Sequence, residues 1–258
     1  MMLDDADELK IAKIIALRPP PPSPSGAVSG YARRMARAVV ATEVAPGGFL
    51  AALRGVLDAR LAVAIEQDDG ALVRALMDFE PNRAQGRGPR LESFTRIGPG
   101  GPLEELLVRI DRHLFSARGE RSWVRRDSDG REVYERRFSL RYGGEWTYRV
   151  IRTGDGSVVV HHAQNADVAR LLAHLGCLWD EALAARDPRR RLEAIAEFEW
   201  WFMATNVTAR SGAGIGDALS LSLQRTAGLA LRSSFRRLDC EALCRSPQEY
   251  IAWRSRTK

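Results

Sequence analysis

The residues best suited to chemistry surround a glycine-rich stretch of the chain, ARSGAGIG (Ala209–Gly216). Apolar residues at helical spacing follow Gly216, which predicts that a helix begins in this stretch. The first amides of a helix are unpaired and the helix dipole favours negative charge there, so a helix start of this kind can bind phosphate. Glycine also lets the backbone approach an anion closely. The predicted phosphate-binding residues are Arg210, Ser211, Gly212, Ala213 and Gly214.

A ligand-free interpretation of the same stretch stays open. In it, Ser211 is an ordinary helix cap, the glycines allow two helices to pack closely, and the Arg210 guanidinium is solvated. The stretch is not a P-loop, because no Gly-Lys-Ser or Gly-Lys-Thr is present. A phosphate site here would therefore depend on backbone amides and on arginine.

Two kinds of side chain near this stretch could move a proton. His161 and His162 end a predicted strand, so one should point inward and the other outward, and imidazole titrates near neutral pH. Glu199 lies near the apolar face of the helix before the glycines, which makes it a candidate inward acid. The alternative is a pair of surface histidines. The predicted catalytic side chains are His162 and Glu199, and the family resemblance described below adds Asn206.

Other reactive residue types have simpler explanations. Cys240 and Cys244 are four residues apart on a predicted helix, and we interpret them as core residues because nothing links them to further ligands at metal spacing. Trp200 and Trp201 could stack on a nucleotide base, but aromatic residues at helical spacing are more typical of a core. No metal site is predicted.

The elements that position these residues are mostly helices. Helical periodicity covers 27–80 and 103–115, and the intervening stretch Pro81–Pro102 is predicted to be a loop. Three alternating segments, EVYERRFSLRY, EWTYRVIRT and SVVVHHA, predict a small antiparallel meander with glycine turns. Helices fill the remainder, one of them starting at Asp187 and Pro188. The fold class is mainly α, with the meander beside the site.

We expect three regions along the chain. Residues 1–26 contain a short helical pattern and RPPPPSPSG (Arg18–Gly26), and are predicted to be a mobile segment with a proline-rich linker. Residues 27–116 form a helical part, and 117–258 combine the meander with a helical core. We expect 27–258 to be one continuous globular domain.

Composition narrows the class of protein. The chain has 258 residues, of which 28% are charged, an ordinary value for a globular protein. Its net charge of +6 favours an anionic partner. The charge is spread out and no nucleic-acid motif is present, so nucleic acid is not the expected partner. No apolar run is long enough for a membrane span. We expect a cytoplasmic protein, with export by a non-classical route left open.

The order of elements resembles the Fic/Doc (Fido) family over about residues 138–230. That family has a β-hairpin flap, often with a Tyr-Arg step, then helices and a glycine-rich loop that begins a helix ending near Ala-Gly-Leu. TYRVIRTGDGSVVVHHAQ looks like the flap, and NVTARSGAGIGDALSLSLQRTAGL looks like the loop and the helix after it. The resemblance implies a Fido-like helical domain whose flap residues are Tyr148, Arg149 and His161.

The family's loop carries a catalytic histidine, an acidic magnesium ligand and an arginine. Counting back from Gly228, Asn206 falls at the histidine, Arg210 at the acid and Gly214 at the arginine. A shift by one residue puts Val207 at the histidine instead. All three family side chains are therefore replaced, which argues against standard AMP transfer and against Mg²⁺. AvrB-like members of the fold also lack the motif and are associated with glycosyl transfer.

The resemblance and the glycine stretch together predict a transferase. It would bind a nucleotide, such as ATP or a nucleotide sugar, at Arg210–Gly216 and modify a hydroxyl, with a protein as one class of target. The alternative is a non-catalytic Fido-like effector or interaction module that keeps the fold without the chemistry. No cofactor beyond the nucleotide is predicted.

Overall fold

The computed structural model of the protein is mainly helical, with one small sheet. It describes residues 5–16, 30–42, 48–66, 70, 73, 94–101, 103–116, 121–208, 212–231 and 237–256.

The helices of the described residues pack around a single hydrophobic cluster that draws side chains from the first helix through the last. Asp187 caps the start of one long helix as predicted, since its carboxylate accepts a hydrogen bond from the Arg190 amide at 2.9 Å. The helices are α1 (Asp5–Ala16), α2 (Gly30–Thr42), α3 (Gly48–Glu66), α4 (Glu104–Ile110, continued by a π-helical turn Asp111–Phe115), α5 (Asn165–Ala184), α6 (Pro188–Thr205), α7 (Gly212–Thr226), α8 (Leu238–Leu243) and α9 (Pro247–Arg256).

The N-terminal helix departs from the prediction of a mobile segment over 1–26. In α1, Ile11, Ala12 and Ile15 are buried in the same core as the rest of the chain. The helix packs on α2, so an apolar stripe that is too short to form a stable helix alone gains its stability from tertiary contact. The proline-rich stretch Arg18–Gly26 lies outside the described residues.

The sheet has five antiparallel strands in the order β1-β5-β4-β3-β2. The three predicted strands are present, and their glycine turns include Gly143 and Gly156 with positive φ angles of 89° and 79°. The sheet also contains β1, which lies inside the predicted loop Pro81–Pro102 and pairs with β5. The strands are β1 (Phe94–Ile97), β2 (Val124–Arg126), β3 (Glu132–Ser139), β4 (Glu145–Arg152) and β5 (Val158–His161).

An aromatic cluster fastens the inner face of the sheet to α6. Trp146 of β4 lies 5.7 Å from Trp201 between ring centroids, and Phe138 of β3 lies 5.1 Å from Trp200. The Trp200 indole also donates a hydrogen bond of 2.8 Å to the Arg245 carbonyl. Both tryptophans are buried, so the prediction that they belong to the core is confirmed.

In the described parts of the chain, none of the helices is both long enough and apolar enough to cross a membrane. The same parts contain no group of three or more metal-binding side chains. Cys240 and Cys244 are buried and unbridged, as the interpretation of them as core residues requires.

His174 joins α5 to the β3–β4 turn from a buried position. Its side chain is 1% exposed and its ring lies 4.2 Å from that of Trp201. Its Nδ1 accepts a hydrogen bond of 3.1 Å from the Arg141 amide, so the neutral ring carries its proton on Nε2. Burial, and secondarily the charge of Arg141, lowers the pKa of His174 from 6.5 to about 4.

Acid should therefore destabilise the protein through His174. Because the pKa is lower in the folded state, protonation favours unfolding: this contribution is absent above pH 6.5, grows as pH falls, and is complete below about pH 4. We expect a loss of about 3 kcal/mol over that range. Urea unfolding of His174→Leu should lack this pH dependence, whereas His113→Gln, at a more exposed position, should retain it. An unchanged pH profile in His174→Leu would contradict the assignment.

Candidate functional site

The end of the sheet meets the end of α6 beside the glycine-rich helix start. The Ala163 amide, just after β5, donates a hydrogen bond of 2.9 Å to the Thr205 carbonyl in the last turn of α6. Helix α6 ends at Thr205, and Asn206 follows as its C-cap with a left-handed φ of 46°, a conformation that asparagine tolerates better than most residues. This junction brings the histidine after β5 against the last turn of α6.

His162 is the titratable group at this junction. Its side chain is buried, whereas the neighbouring His161 is half-buried on the other face of the sheet, as strand alternation predicts. His162 Nδ1 lies 3.1 Å from the Ala204 carbonyl oxygen, and its Nε2 lies 2.8 Å from the Thr95 hydroxyl oxygen. The imidazole thus bridges α6 and β1.

The carbonyl determines which nitrogen of His162 carries the proton. A carbonyl oxygen can only accept, so Nδ1 must donate to it. In the neutral ring, Nε2 is then an acceptor and the Thr95 hydroxyl donates to it. Burial lowers the pKa of His162 below its usual 6.5, against a smaller opposing effect of the Ala204 hydrogen bond. The ring is therefore neutral at pH 7, and the lone pair of Nε2 accepts the hydrogen bond from the Thr95 hydroxyl.

The start of α7 lies close to the same junction. A Cβ atom at Gly212 would overlap the Asn206 side-chain oxygen and would lie 3.4 Å from the Thr208 hydroxyl oxygen. A side chain at position 212 would therefore require the Asn206 side chain to shift. The Thr208 side chain is fully buried, and its hydroxyl has no hydrogen-bond partner within the described residues. A buried hydroxyl without a partner is unusual and destabilising unless a ligand uses it.

The predicted phosphate-binding residues divide at the helix start. Gly212, Ala213 and Gly214 form the first turn of α7, as predicted. Arg210 and Ser211 lie outside the described residues. A second glycine of the stretch has a packing role, since a Cβ at Gly216 would lie 2.6 Å from the Met203 methyl carbon and 2.8 Å from the Phe202 ring. The ligand-free interpretation of the glycines is thus supported at Gly216.

Glu199 points inward as expected, but into a network that joins three helices. Its carboxylate accepts hydrogen bonds from Arg254 of α9 at 2.9 and 3.2 Å and from the Tyr250 hydroxyl at 3.2 Å. It also accepts a hydrogen bond from the Ser220 hydroxyl of α7. With its lone pairs occupied by these donors, the carboxylate holds α6, α7 and α9 together rather than serving as a free acid.

The surroundings of Tyr148, Arg149 and His161 do not match their predicted place in a flap. Tyr148 is 1% exposed and its hydroxyl donates a hydrogen bond of 2.6 Å to the Leu243 carbonyl, so it belongs to the core. Arg149 and His161 are neighbours in register on the opposite, outer face of the sheet. Because β4 is a central strand that pairs on both sides, this region is not a free-standing hairpin over the glycine stretch.

Sequence reasoning missed two hydroxyls of the site. Thr95 lies in FTRI, whose alternation of apolar and polar residues is a weak strand signal inside a stretch rich in glycine and proline. Thr208 has no local signal at all, because its burial depends on how the chain turns between α6 and α7.

No protein-family model matches the chain, and no curated protein matches it significantly. The resemblance to the Fic/Doc family therefore stays a prediction that depends on the order and spacing of elements.

The structural role of Glu199 can be tested through its partner. Arg254→Met should lower the free energy of unfolding by about 3–5 kcal/mol, because it leaves a buried carboxylate without its counter-ion. Adding Glu199→Gln should recover much of this loss, since the remaining group is neutral. Arg189→Met is the control, because its pair with Glu193 is on the surface and should change stability by less than about 1 kcal/mol. Urea unfolding measures all three. An equal loss of free energy of unfolding in Arg254→Met and Arg189→Met would contradict the structural role of Glu199.

Proposed function

We propose that this chain is a Fido-like transferase that moves part of a nucleotide or nucleotide sugar to a hydroxyl. The observation that carries the proposal is His162, a neutral imidazole whose Nδ1–H is held by a carbonyl and whose Nε2 faces a hydroxyl at 2.8 Å. A base within hydrogen-bonding reach of a hydroxyl, itself oriented by a third group, is the arrangement that activates a hydroxyl for attack.

The donor's phosphate would bind where α7 begins. The amides of Gly212, Ala213 and Gly214 lie in the first turn of a 15-residue helix, where unpaired donors and the helix dipole favour an anion. The Thr208 hydroxyl next to Gly212 has no hydrogen-bond partner in the described part of the chain and would supply a further donor. Asn206 now occupies the space above Gly212 and would move aside for the ligand. The overall charge of +6 favours such a partner.

The proposed base replaces the histidine that the family carries in its loop. Asn206, at the corresponding position, has no titratable group, whereas His162 reaches the same junction from the sheet. The acceptor of the transferred group is a hydroxyl, with a protein target as one source. The proposal does not require Mg²⁺, because the amides at the helix start and the predicted phosphate-binding residue Arg210 would balance the negative charge of the phosphate.

Titration calorimetry with ATP, UTP and UDP-glucose, each with and without Mg²⁺, tests the donor site. Thr208→Val should weaken binding by about 2- to 10-fold, the effect of one hydrogen bond. It should leave stability equal or higher, because the lost hydroxyl has no partner among the residues that the structure describes. Thr205→Val is the matched control, since that hydroxyl is satisfied by the Trp201 carbonyl at 2.6 Å. It should leave binding unchanged. Absence of binding by all three donors would sink the proposal.

A non-catalytic interaction module is the second candidate. It is favoured by the close contacts of Gly212 with Asn206 and of Gly216 with Met203, which explain two glycines without any ligand. Incubating a lysate with a labelled nucleotide analogue separates the two functions. Labelling of a target that is lost in His162→Gln supports the transferase, whereas recovery of a binding partner without labelling supports the module.

A further inference from the structure

We propose that Trp123 and the arginines around it bind single-stranded nucleic acid. Trp123 is the last residue of the 3₁₀ turn Arg121–Trp123 that leads into β2, and 46% of its surface is exposed. A tryptophan this open is unusual, because the large indole ring gains much from burial. In the sheet, β2 lies at one edge and β1 at the other, so this surface is separate from the contact of His162 with β1.

A stack of side chains that reaches the core holds the Trp123 ring from one side. The Arg136 guanidinium carbon lies 5.3 Å from the centroid of the Trp123 ring and 5.0 Å from that of Phe138. Phe138 in turn packs against Trp200 and Trp201, at 5.1 and 5.8 Å between ring centroids. A guanidinium at such a distance over an aromatic ring is attractive. The exposed ring is therefore a preorganised platform, and stacking a base on it requires little further ordering of the side chain.

The charges beside the ring favour phosphate. The segment RSWVRR (Arg121–Arg126) holds three arginines and no acidic residue. Arg126 is exposed, and its Nη1 donates a hydrogen bond of 3.1 Å to the Gly130 carbonyl, a contact that does not neutralise the guanidinium. Arg136 adds a second positive charge directly at the ring. The phosphates on either side of a base stacked on Trp123 would thus meet arginine, which suits phosphate oxygens well.

A protein partner would require a different kind of surface. Docking surfaces between proteins are centred on a cluster of apolar side chains. The other large apolar side chains that are exposed in the described residues belong to α1, α3, α4 and the β3–β4 turn, and none of them to β2 or to the turn before it. A single aromatic ring among arginines fits a nucleic acid instead. The strand must be single, because only an unpaired base can leave its own stack and lie on the ring.

This partner differs from the expectation drawn from the sequence, in which the positive charge is spread along the chain. The antiparallel pairing of β2 with β3 brings Arg136 beside Trp123. The pairing of β3 with β4, in which Phe138 lies opposite Trp146, joins the same stack to the aromatic core. The platform is therefore a product of strand register, and a motif search along the chain does not find it.

Fluorescence anisotropy of labelled oligo(dT) and oligo(U), titrated with the full chain, tests the proposal. We expect both single strands to bind more tightly than a duplex of the same length. Trp123→Ala should weaken binding by about 5- to 150-fold, the effect of one stacked base, whereas Trp123→Phe keeps a ring and should retain most of the affinity. Tyr142→Ala is the matched control and should leave affinity unchanged. Tyr142 is 77% exposed, but the adjacent Arg141 is paired with Glu181 and Glu197.

Arginine variants separate a local phosphate contact from the overall charge of the chain. Arg126→Gln should lower the slope of log affinity against log salt by about 0.7, the contribution of one phosphate contact with a single strand. Arg189→Gln removes the same charge from a surface ion pair with Glu193 and should leave the slope unchanged.

The proposal is overturned if neither oligonucleotide binds at low salt, or if Trp123→Ala binds as tightly as the wild-type chain. Equal losses in Arg126→Gln and Arg189→Gln would reduce the effect to net charge and overturn it as well. Loss of oligonucleotide binding in Thr208→Val but not in Trp123→Ala would place the strand at the start of α7 instead. Tighter binding of a poly-glutamate peptide, with the same dependence on Trp123, would assign the surface to an acidic protein. None of these outcomes bears on donor binding at α7, so the proposed function is tested separately.

Discussion

The hydrogen bond from the Ala163 amide to the Thr205 carbonyl is the contact on which the arrangement of the site depends. It joins the end of β5 to the end of α6, and so places His162 against the Ala204 carbonyl. The left-handed Asn206 immediately follows and turns the chain toward α7. Asn206 lies close to Gly212, and Met203 and Phe202 of α6 lie close to Gly216. A sheet end, a helix end and a helix start are thereby held together.

At this junction the His162 imidazole is oriented by a backbone carbonyl and not by a carboxylate. His162 is kept neutral by burial and keeps one proton through the Ala204 carbonyl, so its remaining nitrogen can only accept. Under the proposed function, the base comes from the sheet, whereas the Fic/Doc family carries it in the loop. Glu199, the other candidate for a catalytic side chain, forms a buried ion pair with Arg254 and so joins α6 to α9.

Several features of the fold and the site depend on residues that are close together in the sequence, and the predictions of these features are confirmed. The alternation of β3, β4 and β5, the Asp187–Pro188 helix start and the beginning of a helix at the glycine stretch each depend on residues within one turn or one strand. The opposite orientation of His161 and His162 follows from the pleat alone. The burial of Trp200 and Trp201 follows from helical spacing. Each of these signals requires no knowledge of what the element packs against.

The sequence by itself thus determined the helical class, the central strands, the presence of a helix start near the glycine stretch and the opposite orientation of the two histidines, because those depend on near neighbours. Only the tertiary structure decided that β1 exists, since the four residues of FTRI take their ladder from β5. It also decided that Thr95 meets a histidine 67 positions later, that Tyr148 faces the core, and that Glu199 finds Arg254. Their partners come from distant segments, and side-chain pairing across such distances is set by packing rather than by spacing.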